Sequence, residues 1–132
     1  MPKSTNYLAF DLGASSGRAV IGRFSGSKID LEEIHRFPNG AIDLPGGLYW
    51  DAVGLFSEIL TGLRKTSAIP GGLKSTGVDT WGVDFALLDS AGKLIGIPHC
   101  YRDPRVDGVM AETFKKVPRA EIFDRLRGFT FK

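Results

Sequence analysis

Apolar and polar positions change rhythm several times along the chain. Tyr7 to Asp11 is a short apolar run of the kind that fills a buried strand, and Gly13-Ala14-Ser15-Ser16-Gly17 breaks it with glycines and small hydroxyl residues. Arg18 to Phe24, rich in small and β-branched residues, reads as a second strand and passes through Ser25-Gly26-Ser27 into a third run, Lys28 to Phe37. Three strands joined by two turns predict an antiparallel meander. In the third run Ile29 and Leu31 alternate cleanly but Ile34 falls out of phase, which predicts a bulge or twist near Glu32-Glu33. Pro38 to Gly47, with two prolines and three glycines, reads as a loop.

The period then lengthens to that of a helix. Asp51 is a natural N-cap, and Leu55, Phe56, Ile59, Leu60 and Leu63 fall on one face. Gly54 and Gly62 each cost about 1 kcal/mol relative to alanine, so this helix must lean on tertiary packing. Beyond Ile69-Pro70-Gly71-Gly72, Leu73 to Thr80 and Val83 to Leu88 read as strands, and Asp89 to Lys93 as a turn into a short strand, Leu94 to Ile97. Two short helices are predicted last. Val109, Met110, Thr113 and Phe114 mark one; Pro118 and Gly128 bracket the other, which carries Ile122, Phe123 and Leu126. A meander followed by strands alternating with a helix predicts an α/β layer structure with a mixed sheet.

Composition narrows the class. At 132 residues, 42% hydrophobic and 24% charged, the chain suffices for one globular core. Its net charge of +2 is too small for a nucleic-acid or membrane-surface footprint. The basic excess lies after residue 101, where a solvated helical face accounts for it. Cys100 is the single cysteine, so no intramolecular disulfide or cysteine-rich zinc site forms, and a small buried hydrophobe is its expected role. The N-terminal residues run straight into a strand pattern without a signal-peptide core, and no run of 18 apolar residues occurs, so a cytoplasmic location is expected. Glycine is the outlier: 17 residues, roughly twice average usage, point to particular turns and close backbone approaches.

The segment Asp11-Leu12-Gly13-Ala14-Ser15-Ser16-Gly17-Arg18 carries the most chemistry. It is not a Walker loop, since Gly13 and Gly17 are too close and Arg18 follows; nor is it a dinucleotide fingerprint, since a strand rather than a helix comes next. A phosphate-binding hairpin remains. Its glycines admit a phosphate near the backbone, Ser15 and Ser16 offer hydroxyls, and Arg18 offers a planar fork. Asp11 would face the same phosphates and needs a cation between, for which magnesium held through water is suited. On spacing alone an ordinary Gly/Ser hairpin turn with Asp11 as a local cap reads equally well.

These residues, with Glu33-Ile-His-Arg-Phe37, Tyr49-Trp-Asp51, Gly77-Val-Asp-Thr-Trp-Gly-Val-Asp-Phe85 and Tyr101-Arg-Asp-Pro-Arg105, resemble in order the corresponding segments of the FGGY family of carbohydrate kinases. The resemblance implies a ribonuclease H-like fold of the actin, Hsp70 and hexokinase superfamily, with residues 1–132 forming the first part of the N-terminal domain. It implies that Ala14, Ser15, Ser16, Gly17 and Arg18 line the phosphates of ATP and that Asp11 serves the Mg2+ site. The implied reaction is ATP-dependent phosphorylation of a ketose, with L-rhamnulose favoured and xylulose, fuculose or glycerol as alternatives. The implied partner is therefore a small sugar, not a nucleic acid or a membrane.

A second constellation, Thr80-Trp81-Gly82-Val83-Asp84-Phe85, leaves an indole, a glycine and a carboxylate where strand ends meet. From the residues alone, Trp81 reads first as core and Asp79 or Asp84 as a turn cap. The resemblance instead implies substrate contacts at Gly82 foremost, then Trp81, Asp84 and Tyr101. Most members carry Trp where Tyr101 stands. His35 and His99 have the spacing of structural histidines. The general base, the second phosphate loop and the adenosine pocket of the family have no counterpart in residues 1–132, so no catalytic residue is assigned here and the isolated chain is expected to be inactive. A non-catalytic actin-like binding module is the reading from a different class.

Overall fold

The structure is a computed structural model that describes residues 4–126. Strands β1 (Thr5–Leu12), β2 (Ser16–Phe24) and β3 (Ile29–Pro38) form the expected antiparallel meander. After helix α1 (Ala52–Lys65), strand β6 (Ser75–Thr80) returns parallel to β1, giving a four-stranded mixed sheet of order β3-β2-β1-β6. The irregularity in β3 falls at the residue that breaks the alternation. Ala19 pairs with His35 and Val20 with Glu33, so Ile34 is the extra residue of a bulge.

One face of the sheet is the core. Leu8, Phe10, Leu12, Ala19, Ile21 and Phe37 are buried there, and Leu55, Ile59 and Leu63 of α1 pack against them. Asp51 caps α1 as expected, its carboxylate accepting from the Gly54 N–H at 2.7 Å. Gly62 has a packing reason. A Cβ there would stand 2.5 Å from Phe10 Cε1 and 3.1 Å from the Ala19 Cβ, so only glycine lets α1 approach the sheet this closely. Asn6, buried in β1, donates to the carbonyls of Pro70 and Gly72 and ties down the connection from α1 to β6.

Three expectations are corrected. The stretch 38–47 is not a plain loop: β4 (Ala41–Leu44) and β5 (Gly47–Trp50) form a separate two-stranded hairpin around Pro45-Gly46, with Gly46 at φ +106°. Pro and then a positive-φ residue suit the centre of a type II turn, and the same composition reads as a loop in sequence. The stretches 83–88 and 94–97 are not strands. The turn at Asp89–Lys93 forms, with Asp89 N–H donating to the Lys93 carbonyl at 2.8 Å, yet only one bridge, Leu88 to Leu94, extends it. Their apolar side chains are exposed, Phe85 by 74% and Ile95 by 66%, so the hairpin has no apolar layer among the described residues, and short hairpins without one are marginal.

A 3₁₀ turn, Pro104–Val106, precedes helices α2 (Val109–Lys116) and α3 (Arg119–Leu126). Both helices were expected, and they carry the solvated basic face, with Lys115 paired to Glu112 and Arg125 to Glu121. The end of the last helix at Gly128, and the apolar residues after it, lie outside the described residues. Among the described residues no helix is long and apolar enough to cross a membrane.

Candidate functional site

The parallel pairing of β1 with β6 sets the site. Asp11 lies beside Asp79 and Leu12 beside Thr80, so the glycine-rich turn after β1 and the Trp81 segment after β6 leave the sheet at the same carboxyl edge. Such edges are where layered α/β folds bind ligands.

The turn is tight and braced. Gly13 N–H donates to the Ser16 carbonyl at 3.0 Å. Asn39, just past β3, grips the turn twice: its Nδ2 donates to the Gly13 carbonyl at 2.7 Å and its backbone N–H to the Ser15 carbonyl at 3.1 Å. The N–H groups of Ala14 and Ser15 and the hydroxyls of Ser15 and Ser16 find no partner among the described residues. A cluster of free donors on a rigid turn is what an anionic oxygen requires. Gly17 differs from its neighbours. It is buried, and a Cβ there would stand 2.9 Å from Phe37 Cε1 and nearer still to Cζ and Cε2, so packing against the core ring requires glycine at this position.

Arg18 and Asp11, opposed across β1 and β2, pair with each other. Arg18 Nε and Nη2 lie 2.9 and 2.8 Å from Asp11 Oδ2, and each side chain is about half exposed. The register continues outward to Arg36 on β3 and Asp79 on β6, a row of two cations and two anions across the open face of the sheet. Arg36 also holds Glu33, whose carboxyl is pushed below the usual range by that guanidinium. Among the described residues no group of three or more His, Cys, Asp and Glu side chains gathers to hold a metal. The free N–H and hydroxyl donors of the turn suit a phosphate, and the single half-exposed Asp11 carboxylate suits a cation approached through water.

The second constellation is gathered as well. Asp84 Oδ2 accepts from Trp81 Nε1 at 2.7 Å and from Trp50 Nε1 at 2.6 Å. The two indoles lie 4.4 Å apart between centroids, and Tyr101 approaches Trp50 at 6.4 Å with the Arg102 guanidinium over its ring. Trp81 also touches the sheet core, as its core reading anticipates. Gly82 is exposed, with open space where a Cβ would stand.

Tyr101 is carried by a segment clamped to β5. Trp50 N–H donates to the Pro98 carbonyl and Cys100 N–H to the Leu48 carbonyl, both at 2.8 Å. Buried Asp103 accepts from the N–H groups of Arg105 and Leu48, and those two bonds, with His99 at 3.8 Å, hold its carboxyl below the usual range. His35 is structural in its contacts, bonding Glu58 at 2.6 Å and Lys65 at 2.9 Å across β3 and α1. Cys100 is buried.

Sequence reasoning missed two residues of this site. Asn39 was read only as part of a loop, and nothing in its spacing marks a contact with Gly13. Trp50 stood in the quoted Tyr49-Trp-Asp51 motif, a signal that could have found it.

Solved carbohydrate kinases share this fold. The gluconate kinase from Lactobacillus acidophilus superposes with a TM-score of 0.74 over 92% of this chain and 25% of its own, at 14% identity. The xylulose kinase from Lactobacillus acidophilus does so at 0.73 over 91% of this chain and 24% of its own, also at 14% identity. Within that class the sequence similarity is to rhamnulokinases: 42% identity over 120 residues with the Bacteroides thetaiotaomicron protein, and 47% over 119 residues with that of Halalkalibacterium halodurans. These alignments take in 91% and 89% of this chain, which spans about a quarter of the length of the curated relatives it matches, 25% in both cases. The resemblance to FGGY carbohydrate kinases is thus borne out in sequence and in fold. No protein-family model matches the chain.

Proposed function

We propose that this chain supplies the first phosphate-binding turn and one wall of the sugar site of an ATP-dependent kinase that converts L-rhamnulose to L-rhamnulose 1-phosphate in rhamnose catabolism, in the cytoplasm. The observation that carries the reading is the β1/β6 register, which brings a turn with unpaired N–H and hydroxyl donors to the same edge as Trp81 and the exposed Gly82 that follows it. Similarity to rhamnulokinases supports the choice of sugar.

Ala14 and Ser15 present backbone N–H groups, and Ser15 and Ser16 hydroxyls, to the nucleotide phosphates; Gly17 sets the turn's seat on the core, and Arg18 adds positive charge beside it. Asp11 is the residue that would hold Mg2+, through water. Magnesium supplies neutralisation of the charge that develops on the transferring phosphoryl group. Trp81 and Tyr101 cover the apolar side of the ketose, the Gly82 backbone lies against it, and Asp84 offers Oδ1 to a hydroxyl. Positioning and electrostatics are what these residues contribute; proton removal from the sugar falls to a base beyond residue 132.

Thermal shift of the protein expressed from its own gene tests the sugar. L-Rhamnulose should raise Tm with a lower half-saturating concentration than xylulose, fuculose or glycerol. Stabilisation by another of these alone would assign a different substrate, and stabilisation by none would favour a non-catalytic module.

A further inference from the structure

We infer that Trp50, which lies in the β4–β5 hairpin and outside the residues assigned above to the sugar, is a positioning residue for the sugar wall, acting through Asp84. The inference rests on the reading of Trp81 and Tyr101 as that wall. Asp84 Oδ2 is shared by two indole N–H groups, from Trp50 at 2.6 Å and Trp81 at 2.7 Å, so a single oxygen fixes both rings. Trp50 is 3% exposed and its backbone is held by the Pro98 carbonyl, which makes it the anchored member of the pair. Trp81 is only partly buried and follows a strand end into irregular chain, so its ring orientation depends on this bracket.

The consequences are chemical. With Oδ2 saturated by indoles, Asp84 has one oxygen, Oδ1, left for a sugar hydroxyl, and its charge is spread over two N–H donors in a partly buried site. Trp50 also touches Tyr101 at 6.4 Å, so one buried indole registers both faces of the wall, one carried after β6 and the other on the segment beside β5.

Trp50→Phe keeps an aromatic ring in the core and removes the N–H together with the volume of the five-membered ring, so Tm is measured beside the kinetics to separate the lost bond from the lost packing. In steady-state kinetics on the protein expressed from its own gene, it should raise the KM for the ketose about tenfold while leaving the KM for ATP and kcat within about twofold, the loss expected for one charge-assisted hydrogen bond. Asp84→Asn, which retains an oxygen acceptor, should recover most of what Asp84→Ala loses. A spectroscopic signature accompanies these: the indole Nε1–H resonances of Trp50 and Trp81, assigned by single Trp→Phe variants, should lie downfield in wild type, and both should move in Asp84→Ala. Wild-type ketose KM in Trp50→Phe, or movement of only one indole resonance in Asp84→Ala, would overturn the inference. If both resonances behave as stated but no ketose is turned over, the bracket is purely structural and it is the sugar-wall reading that fails.

Discussion

Replacing Gly17 by alanine separates two reasons for a glycine in this turn. A phosphate-contact role predicts a nucleotide defect in a stable protein, whereas the structure gives a packing role. The new Cβ would stand 2.9 Å from Phe37 Cε1 and closer to two other ring carbons, against about 3.5–4.0 Å for ordinary carbon contacts. Phe37 is 3% exposed and sealed in the core cluster, so the ring cannot swing into solvent. Gly17 is not among the glycines with positive φ, so the backbone itself tolerates alanine and the cost is steric. Overpacking of this kind costs about 1–3 kcal/mol. With three ring atoms in overlap the upper half of that range applies, so Gly17→Ala should lose about 2–3 kcal/mol and lower Tm measurably. Phe37→Leu in the same background should recover part of the loss, giving a favourable coupling in a double-mutant cycle. Thermal denaturation monitored by circular dichroism provides the readout. An unchanged Tm in Gly17→Ala, with a raised KM for ATP, would refute the packing argument and restore the phosphate role.

Other perturbations follow from the same contacts. Gly62→Ala should destabilise despite a helix-propensity gain of about 1 kcal/mol, because its Cβ would press on Phe10, which is fully buried; a higher Tm would contradict the close approach of α1. Asn39→Ala should raise the KM for ATP several-fold with a stability loss of about 1 kcal/mol, measured by kinetics and denaturant titration, since it removes a side-chain bond that braces Gly13. Asp11→Asn should change stability by less than about 1 kcal/mol, being a half-exposed ion pair, yet abolish most magnesium-dependent turnover. Asp103 has a folded pKa below its unfolded value, so its stabilisation is complete above the unfolded value of about 3.9 and is lost as pH falls through the lower folded value; Tm measured from pH 7 downward should drop less steeply at the acid end in Asp103→Asn.

The meander was legible because β1 and β2 each carry a strong buried run and the turns between strands are marked by glycine and serine. Helix α1 was legible from its cap and period. What stayed hidden depended on distant partners. The β4–β5 hairpin is only four residues a side with β4 exposed, so local composition outweighed its pairing. Phe85 and Ile95 sit in strand-like sequence, but extended pairing needs a layer to bury it, and sequence alone does not say whether one is present. The glycine excess pointed to turns and close backbone approaches without saying which lay where. At Gly17 and Gly62 it records how closely a ring or a helix meets its neighbour, and only the fold assigns it to those positions. In the site, Asp11 and Arg18 were each identified, while their mutual pairing and the shared Asp84 oxygen required the register of strands far apart in the chain.

The most direct test is coupled ADP release by the protein expressed from its own gene, with ATP and magnesium, against L-rhamnulose, xylulose, fuculose and glycerol, alongside residues 1–132 alone. The account predicts saturable turnover with the highest kcat/KM for L-rhamnulose and none from the 132-residue chain. Turnover by that chain alone, or a preference for another of these substrates, would contradict it.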